Sequence, residues 1–295
     1  MTSINTNTSA MTALQSLSAI NSSLDQTQNR ISTGYRVGAA SDNAAYWSIA
    51  TTMRSDNKAL GAVEDALGLG QAKVDTAYTG MTAAIDVVDE IKSKLVAAKE
   101  PGVDKTKIQS ELTELQGQLK SIATSASFSG ENWLATDNTA SRSVVASFNR
   151  DSGGNVSVGT ISVAVTSTQL MDAAGAAGGT LGTNGAASGV SVLAIDISAA
   201  SDADLTNMIT DVDTALKTMT TAASNLGAAK NRMDIQSEFV SNLRDSIEKG
   251  VGTLVDADMT EESTRLKALQ TQQQLGVQAL SIANNSSQSL LSLFR

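Results

Sequence analysis

The sequence predicts a mainly α protein, an elongated antiparallel coiled-coil-like helical bundle built from both chain ends, with a small β-rich central insert. Apolar residues recur every seven positions through two long stretches, one in each half of the chain, which is typical of helices that pack along a coiled coil. Between residues 140 and 200, β-branched residues alternate with small polar ones instead, which indicates short strands.

The composition excludes the commonest kinds of active site. The chain has no His and no Cys, so it lacks the usual general base, the commonest metal ligand, the thiolate nucleophile and the disulfide. Aromatic residues make up only 3% of the chain, which suits packed long helices better than a compact enzyme core. We therefore expect no enzyme activity, no cofactor and no metal, although carboxylate and lysine chemistry stays open.

The charge and hydropathy pattern limits the kinds of partner that the chain is expected to bind. The net charge of −9 argues against nucleic acid, whose binding needs a basic surface. No run of eighteen apolar residues exists, so we expect no membrane span, and the first residues carry no pattern of a cleaved Sec-type signal peptide.

The first predicted element is a helix over residues 1–34. Its apolar stripe repeats at heptad spacing and consists of Ala10, Ala13, Leu17, Ile20, Leu24 and Ile31. No charged side chain occurs from Met1 to Leu24, and such a Ser/Thr/Asn-rich helix is marginal unless its stripe is covered. Residues 34–43 then form a break, in which Ser41, Asp42 or Asn43 can cap the next helix.

The longest predicted helix follows and ends at Pro101-Gly102. Its heptad positions are Met53, Leu60, Leu67, Val74, Met81, Val88 and Leu95. We call these residues, together with the heptad positions of the second long helix given below, the seam positions. Gly61, Gly68 and Gly70 weaken the middle of this helix and mark either a close helix approach or a flexible point.

A third helix with an apolar face from Ile108 to Ile122 precedes a turn or short hairpin at residues 128–134. The segments SRSVVASF, NVSVGTISVAV and GVSVLAIDIS then read as strands of the insert, connected by loops rich in Gly, Ala and Asn.

The C-terminal part mirrors the N-terminal part. A cap at residues 201–204 opens a second long helix, which we expect Gly250 and Gly252 to end. Its seam positions are Leu205, Val212, Met219, Leu226, Met233, Val240 and Ile247. A last helix begins near Asp258 and carries no charge from Ala268 to Phe294; its assembly candidates are Leu266, Leu269, Leu280, Leu290 and Phe294.

Two uncharged ends joined to two matched heptad helices indicate burial by neighbouring copies. The long helices are expected to pack antiparallel, which brings both ends of the chain together. A helix without charges can be buried on every face without stranding an ion. The alternatives are an ordinary solvated end, or a membrane-surface helix, which would need Lys or Arg on its polar face.

The chain closely resembles bacterial flagellins, and specifically those of the alphaproteobacterial, rhizobial type. The resemblance rests on RISTG at Arg30–Gly34, on ASDNAA at Ala40–Ala45 followed by YWSIA, and on the closing LLSLFR. It covers about residues 1–140 and 200–295, and the stretch between them matches nothing specific.

The resemblance implies a structural subunit that self-assembles into the extracellular flagellar filament used for swimming. It implies secretion by flagellar type III export as an unfolded chain. The implied partners are copies of the chain itself, alone or with other flagellins, together with an export chaperone, the filament cap and the junction proteins. The residues that would then lie in the filament core are Leu17, Ile20, Leu24 and Ile31 of the first helix and the assembly candidates of the last helix.

The pattern and the resemblance together predict five segments. They are an N-terminal inner-tube helix at 1–40, the N-terminal part of a heptad-helix rod domain at 41–139, a variable outer β-rich domain at 140–200, the C-terminal part of the rod domain at 201–255, and a C-terminal inner-tube helix at 256–295.

Two other functions compete with this hypothesis. A hook–filament junction protein of the same superfamily would form a single ring, and the match through the last thirty residues argues against it. A secreted coiled-coil adhesin or effector would be a soluble monomer with stable ends. An enzyme is a more distant third.

Overall fold

The computed structural model describes residues 7–175 and 177–292, of which residues 286–292 are described by their backbone alone. Long helices come from both ends of the chain and two small antiparallel sheets lie between them, so the predicted fold class is confirmed. The elements are α1 (Thr8–Thr33), α2 (Ala44–Ala97), α3 (Lys105–Ser125), β1 (Ser127–Phe128), β2 (Glu131–Asn132), β3 (Arg142–Arg150), β4 (Val156–Val163), α4 (Val165–Thr168), α5 (Gly179–Gly182), a 3₁₀ turn (Val192–Ala194), α6 (Asp202–Val255) and α7 (Met259–Ser292).

The chain divides into two compact units. The first consists of Met1–Asn57 and Asp245–Arg295, and the second of Lys58–Arg244. The helices α2 and α6 each contribute one part to the first unit and the other part to the second.

In the first unit, local capping fixes the ends of α1. The side chain of Asn7 accepts a hydrogen bond from the backbone N–H of Ala10 at 3.0 Å, which satisfies one free donor of the first turn. Gly34 ends the helix in the left-handed conformation with φ 75°, and its N–H donates to the Arg30 carbonyl. A residue with a side chain adopts this conformation only at a cost, which explains the glycine.

The break between α1 and α2 is tied to the end of α6. The backbone N–H groups of Arg36 and Val37 both donate to the Val255 carbonyl, and Gly34 accepts from the N–H of Ala257. Val37 is buried with Ala50, Val251 and Val255, and Met53 and Ile247 pack against this cluster. The next helix, α2, begins where Asn43 accepts from the N–H groups of Ala45 and Tyr46, so one of the three predicted caps is used.

In the second unit, α2 and α6 pack antiparallel. Ion pairs join them at three levels, with rising residue numbers on α2 meeting falling numbers on α6. The pairs are Glu64–Arg244, Asp75–Lys230 (2.6 Å) and Lys92–Asp213 (2.5 Å). The helix α3 folds back beside α2, where Lys94 pairs with Glu111 at 2.6 Å.

Two hairpins follow α3: β1–β2 lies before the insert, at the predicted turn or short hairpin, and β3–β4 lies within the insert. β1 and β2 pair around Ser129 and Gly130, both with positive φ, and β3 pairs antiparallel with β4. The insert sits against α2 because Gly70 has no side chain: a Cβ there would lie 2.3 Å from Cγ1 of Val144. The glycine therefore marks a close approach, although the neighbour is a strand and not a helix.

The prediction of a third strand in the segment GVSVLAIDIS is wrong. Its apolar residues Val192, Ile195 and Ile197 are buried, but the backbone forms a 3₁₀ turn and extended coil. Side chains of α3 take the place of a partner strand: Gln109 accepts from the N–H of Ile197 at 2.8 Å, and Gln116 donates to the Val192 and Ile195 carbonyls. The backbone groups are thus satisfied without a ladder.

The predicted end of the second long helix is also wrong. Gly250 and Gly252 lie inside α6, which continues to Val255. Val251 and Val255 belong to the buried cluster of the first unit, and this packing outweighs the weak helix propensity of two glycines.

Candidate assembly site

The first and last helices lie side by side, antiparallel, within the first unit. The side chain of Asn7 donates to the Ala283 carbonyl at 3.0 Å, and Gln273 donates to the side chain of Asn21 at 2.7 Å. Gly276 allows the close approach, because a Cβ there would lie 3.3 Å from Cδ1 of Leu17. The two ends of the sequence thus form a single pair of helices, α1 with α7.

A charged cluster holds the register of this pair at one end. The guanidinium of Arg30 on α1 lies 3.0 Å from Oε1 of Glu262 on α7, and Arg265 approaches the same oxygen at 3.4 Å. Glu262 is only 5% exposed, and its Oε2 accepts no hydrogen bond from any described residue. A carboxylate buried in this way depends on its two cations, because desolvation of an unpaired charge is costly.

The N-terminus of α7 is capped by Asp258. Its carboxylate accepts from the backbone N–H groups of Glu261 and Thr260, at 3.2 and 2.8 Å, and these hydrogen bonds lower the pKa of Asp258. The last helix therefore begins where the sequence indicated, directly after this aspartate.

The predicted filament-core residues mostly lie half-buried in the single chain. Leu24 is buried, and the half-buried ones are Leu17, Ile20, Ile31, Leu266, Leu269 and Leu280. The side chain of Leu290 and all of Phe294 lie outside the described residues. Because Leu17 and Ile20 are directed to Gly276, part of this set serves the contact between α1 and α7 themselves.

A second set of apolar residues on the same two helices was missed by the sequence reasoning. These side chains are between 53% and 69% exposed, and they are Met11, Leu14, Leu275, Val277 and Ile282. They fall outside the heptad stripe, so a search for one periodic face passes over them. The available signal was that the uncharged stretches of sequence, Met1–Leu24 and Ala268–Phe294, also contain apolar residues outside the heptad stripe.

An open groove of about 480 Å³ runs between the same helices. It is lined by side chains no larger than threonine, namely Ser9, Thr12, Ala13, Ser16, Gly276, Ala279 and Ala283. The helix pair therefore offers both protruding apolar side chains and a recess with room for such side chains.

The seam positions of the second unit are all buried. They are at most 3% exposed from Leu60 to Leu95 on α2 and at most 1% exposed from Leu205 to Val240 on α6. The ion pairs above flank them. The pKa of Asp213 falls to about 2, first because Lys217 and then because Lys92 donate hydrogen bonds to its carboxylate. The remaining two, Met53 and Ile247, are half-buried in the first unit.

Within residues 7–175 and 177–292 there is neither a cluster of metal ligands nor a helix that could span a membrane. No group of three acidic side chains in these ranges could hold a metal ion. None of the helices described there has the length and hydrophobicity that crossing a bilayer requires. The α1–α7 pair is therefore the candidate functional site.

Two family models match the chain. The bacterial flagellin N-terminal helical region matches residues 4–139, and the bacterial flagellin C-terminal helical region matches residues 209–294. The stretch between them, with the β3–β4 hairpin, is outside both. A crystal structure of Bacillus cereus flagellin is similar at a TM-score of 0.41 and 18% identity, over 61% of this chain and 88% of that one, a level too low to add to the assignment.

Similar proteins extend over the whole chain. Flagellin C of Rhizobium meliloti is 54% identical over 321 residues, covering 100% of both chains. A flagellin of Brucella melitensis is 52% identical over 303 residues, and Flagellin A of Rhizobium meliloti 47% over 395, again with full coverage of both. These full-length matches favour flagellin over a junction protein or an adhesin. The chain therefore belongs to the bacterial flagellin family, as a structural subunit of the flagellar filament.

Proposed function

We propose that the chain polymerises with copies of itself through the α1–α7 pair, into the extracellular filament used for swimming. The observation that carries the proposal is the exposure of Met11, Leu14, Leu275, Val277 and Ile282 on two helices that are already paired with each other. Fully burying one such side chain contributes roughly 1.5–3 kcal/mol, so a surface with five of them favours association.

The groove between α1 and α7 supports a contact between identical copies. Its walls are small side chains, and the protruding side chains are Leu, Ile, Val and Met, so one copy can supply what the recess of the next copy accepts. A protrusion and a recess at different places on one surface give a head-to-tail contact, which continues from copy to copy as a filament when its rotation does not close a ring.

The distribution of charge on the pair also suits burial on all sides. In α1 the charged residues are Asp25 and Arg30, and in α7 none follows Lys267 up to Ser292. Arg30 is already paired, and Glu262 with it. Covering the uncharged part of the pair therefore desolvates no ion, which is the main cost of burying a helix surface.

The seam positions would then form the interior of a rod. Their burial between α2 and α6 makes the second unit a support that does not depend on neighbouring copies for its interior. The five segments at 1–40, 41–139, 140–200, 201–255 and 256–295 remain our proposal for inner tube, rod and outer domain.

We extend the proposal to partners and export on the strength of the family. The partners would be an export chaperone, the filament cap and junction proteins, and the route would be flagellar type III export. Since Rhizobium meliloti has Flagellins A, B, C and D among the relatives, co-assembly with other flagellins is part of the proposal. The absence of enzyme activity, cofactor, nucleic-acid partner and membrane attachment stays a prediction; a broad hydrolase screen tests the first.

Seeded polymerisation tests the proposal. Heat-dissociated chain should form filaments, visible by electron microscopy, when short filament fragments are added. Deleting residues 1–30 or 266–295 should abolish growth while leaving the helical circular dichroism of the second unit. Filaments grown from a chain that lacks both segments would contradict the proposal.

A further inference from the structure

The loop that precedes the 3₁₀ turn contains the only Asn-Gly pair of the sequence, Asn184-Gly185. In such a pair the backbone nitrogen of the glycine can attack the side-chain carbonyl carbon of the asparagine, because glycine has no Cβ to obstruct the approach. A five-membered succinimide forms, and the asparagine side-chain nitrogen leaves as ammonia with the proton of the glycine N–H. Water then opens the ring at either carbonyl, which gives aspartate or isoaspartate. The pair is therefore a candidate site of covalent modification that needs no reagent besides water.

In the folded chain the attacking nitrogen is already engaged. The N–H of Gly185 donates to the Val190 carbonyl at 3.0 Å, and the Gly185 carbonyl accepts from the N–H of Gly189, also at 3.0 Å. Asn184 itself pairs with Ser191 in an isolated antiparallel bridge. Attack requires the Gly185 nitrogen to lose its proton and to turn toward the Asn184 side chain, so its hydrogen bond to Val190 has to break first.

Asp211 on α6 holds this loop in place. One of its carboxylate oxygens accepts from the N–H of Ala187 at 3.0 Å, and the other accepts from the N–H of Ser188 at 2.7 Å. Hydrogen bonds to an ionised acceptor are stronger than those between neutral groups. Gly185 packs against the same carboxylate, since a Cβ there would lie 2.2 Å from Oδ2 of Asp211. Opening the loop therefore means breaking its contacts with Asp211.

Access of water does not protect the asparagine. The side chain of Asn184 is exposed, and it lines an open recess of about 610 Å³ together with Asp211. Water can thus reach the carbonyl carbons that hydrolysis of the succinimide requires. The step that the fold controls is the attack by the nitrogen of Gly185.

We propose that Asn184 is a deamidation site whose reactivity is set by the loop from Asn184 to Ser191, protected while Asp211 holds the loop and reactive when the loop opens. The inference does not depend on polymerisation. Either product adds a negative charge to the recess that Asp211 lines, and like charges repel. Isoaspartate also lengthens the main chain by one methylene, next to a glycine that has no room for a further carbon. We therefore expect the modified loop to be held less tightly than the original one.

The first experiment compares folded and unfolded wild-type chain. Both are kept at the same mildly alkaline pH, one in buffer and one in guanidinium chloride, and peptide mass spectrometry follows aspartate and isoaspartate at position 184 over time. We expect the folded chain to react several-fold more slowly. The Asn184→Gln chain should give almost no product in either condition, because glutamine would have to form a six-membered ring. Equal rates in the folded and unfolded wild-type chains would overturn the inference.

The second experiment opens the loop without unfolding the helices. Asp211→Ala and Asp213→Ala remove the same charge from α6 two positions apart, but Asp213 pairs with Lys92 and Lys217. We expect Asp211→Ala to raise the rate at position 184 several-fold while circular dichroism shows intact helices, and Asp213→Ala to leave the rate unchanged. A rate in Asp211→Ala no higher than in wild type, or an equal rise in both variants, would overturn the role of the loop.

Hydrogen exchange decides the question if the Asp211→Ala chain does not fold. The Gly185 amide of the folded wild-type chain should exchange several-fold more slowly than in an unfolded chain, because its hydrogen bond to Val190 must open first. Exchange of this amide at the rate of an unfolded chain would show that the loop does not shield the nitrogen, and the inference would fail.

Discussion

Arg30 and Glu262 are 232 positions apart in the sequence, yet the guanidinium of one lies 3.0 Å from the carboxylate of the other. This pair joins the end of α1 to the first turn of α7, at the place where Asp258 caps the last helix. Because Glu262 is buried, the pair determines whether the two terminal helices can lie together at this end.

Replacing Arg30 by Met should therefore weaken the α1–α7 pair. Arg265 remains near the carboxylate, so we expect a loss of about 2–3 kcal/mol, somewhat less than for removing all partners of a buried ion. The measurement is the urea concentration at which filaments dissociate, followed by light scattering. The double variant with Glu262→Gln should recover part of the loss, since no charge is then left buried; equal losses in the single and double variants would contradict this explanation.

Two glycines of α2 should respond in opposite ways to alanine. A Cβ at Gly70 would lie 2.3 and 2.8 Å from the methyl groups of Val144, so Gly70→Ala must displace β3, and overpacking of this kind costs about 1–3 kcal/mol. A Cβ at Gly68 meets nothing within 4 Å, so Gly68→Ala should stabilise α2 by roughly 0.5–1 kcal/mol through helix propensity.

Urea unfolding of the full chain measures both glycine variants. Because Gly68 and Gly70 lie two residues apart in one helix, differences in chain length, charge and assembly cancel between them. A Gly70→Ala chain as stable as the Gly68→Ala chain would show that the hairpin is not held against α2 at this point.

The Asp213 carboxylate predicts an acid-sensitive step in the second unit. Its pKa is lowered to about 2 in the folded chain from an ordinary value of 3.8, so it stabilises the fold above that ordinary value and the stabilisation is lost as the pH falls toward 2. Asp213→Asn should therefore flatten the dependence of stability on pH between about 4 and 2. Circular dichroism melts across this range measure it.

The control for this prediction is Asp86→Asn. Asp86 is an exposed residue of α2 that forms no ion pair with the described part of the chain. Its replacement should leave the slope of the melts between pH 4 and 2 unchanged. If both substitutions alter the slope equally, the net charge of the chain, and not the contacts of Asp213 with Lys92 and Lys217, would explain the dependence of stability on pH.

The sequence predicts the long helices well because their evidence is repeated many times. From Leu60 to Leu95, each heptad position is a separate observation of the same buried face, and the caps at Asn43 and Asp258 depend only on local hydrogen bonds. Local chemistry and long periodicity agree in these segments, so the interpretation needs no knowledge of the tertiary structure.

The sequence predicts the structure of a segment poorly where the residues that the segment packs against or bonds to are far away in the sequence. The segment from Val192 to Ile197 alternates like a strand, but its backbone partners are Gln109 and Gln116, about eighty positions earlier, which no local pattern reveals. Gly252 would end an isolated helix, and α6 continues because Val255 packs with Val37. The exposed residues Leu14 and Ile282 were missed for a related reason: each is more than half exposed in the described structure, so neither belongs to a buried face that periodicity reveals.

Two isoleucines with the same exposure distinguish the proposed assembly surface from the rest of the molecule. Ile282 on α7 and Ile235 on α6 are both 69% exposed. Ile282→Lys places a charge on the uncharged part of the α1–α7 pair, and burying that charge against a neighbouring copy would cost several kcal/mol, so seeded growth should stop. Ile235→Lys adds the same charge to α6 outside that pair, and filaments should still grow.

Electron microscopy after seeding measures the growth of both variants, and circular dichroism confirms that both chains fold. Growth of the Ile282→Lys chain at the wild-type rate would remove α7 from the assembly surface, whereas loss of growth in the Ile235→Lys chain alone would move that surface to α6.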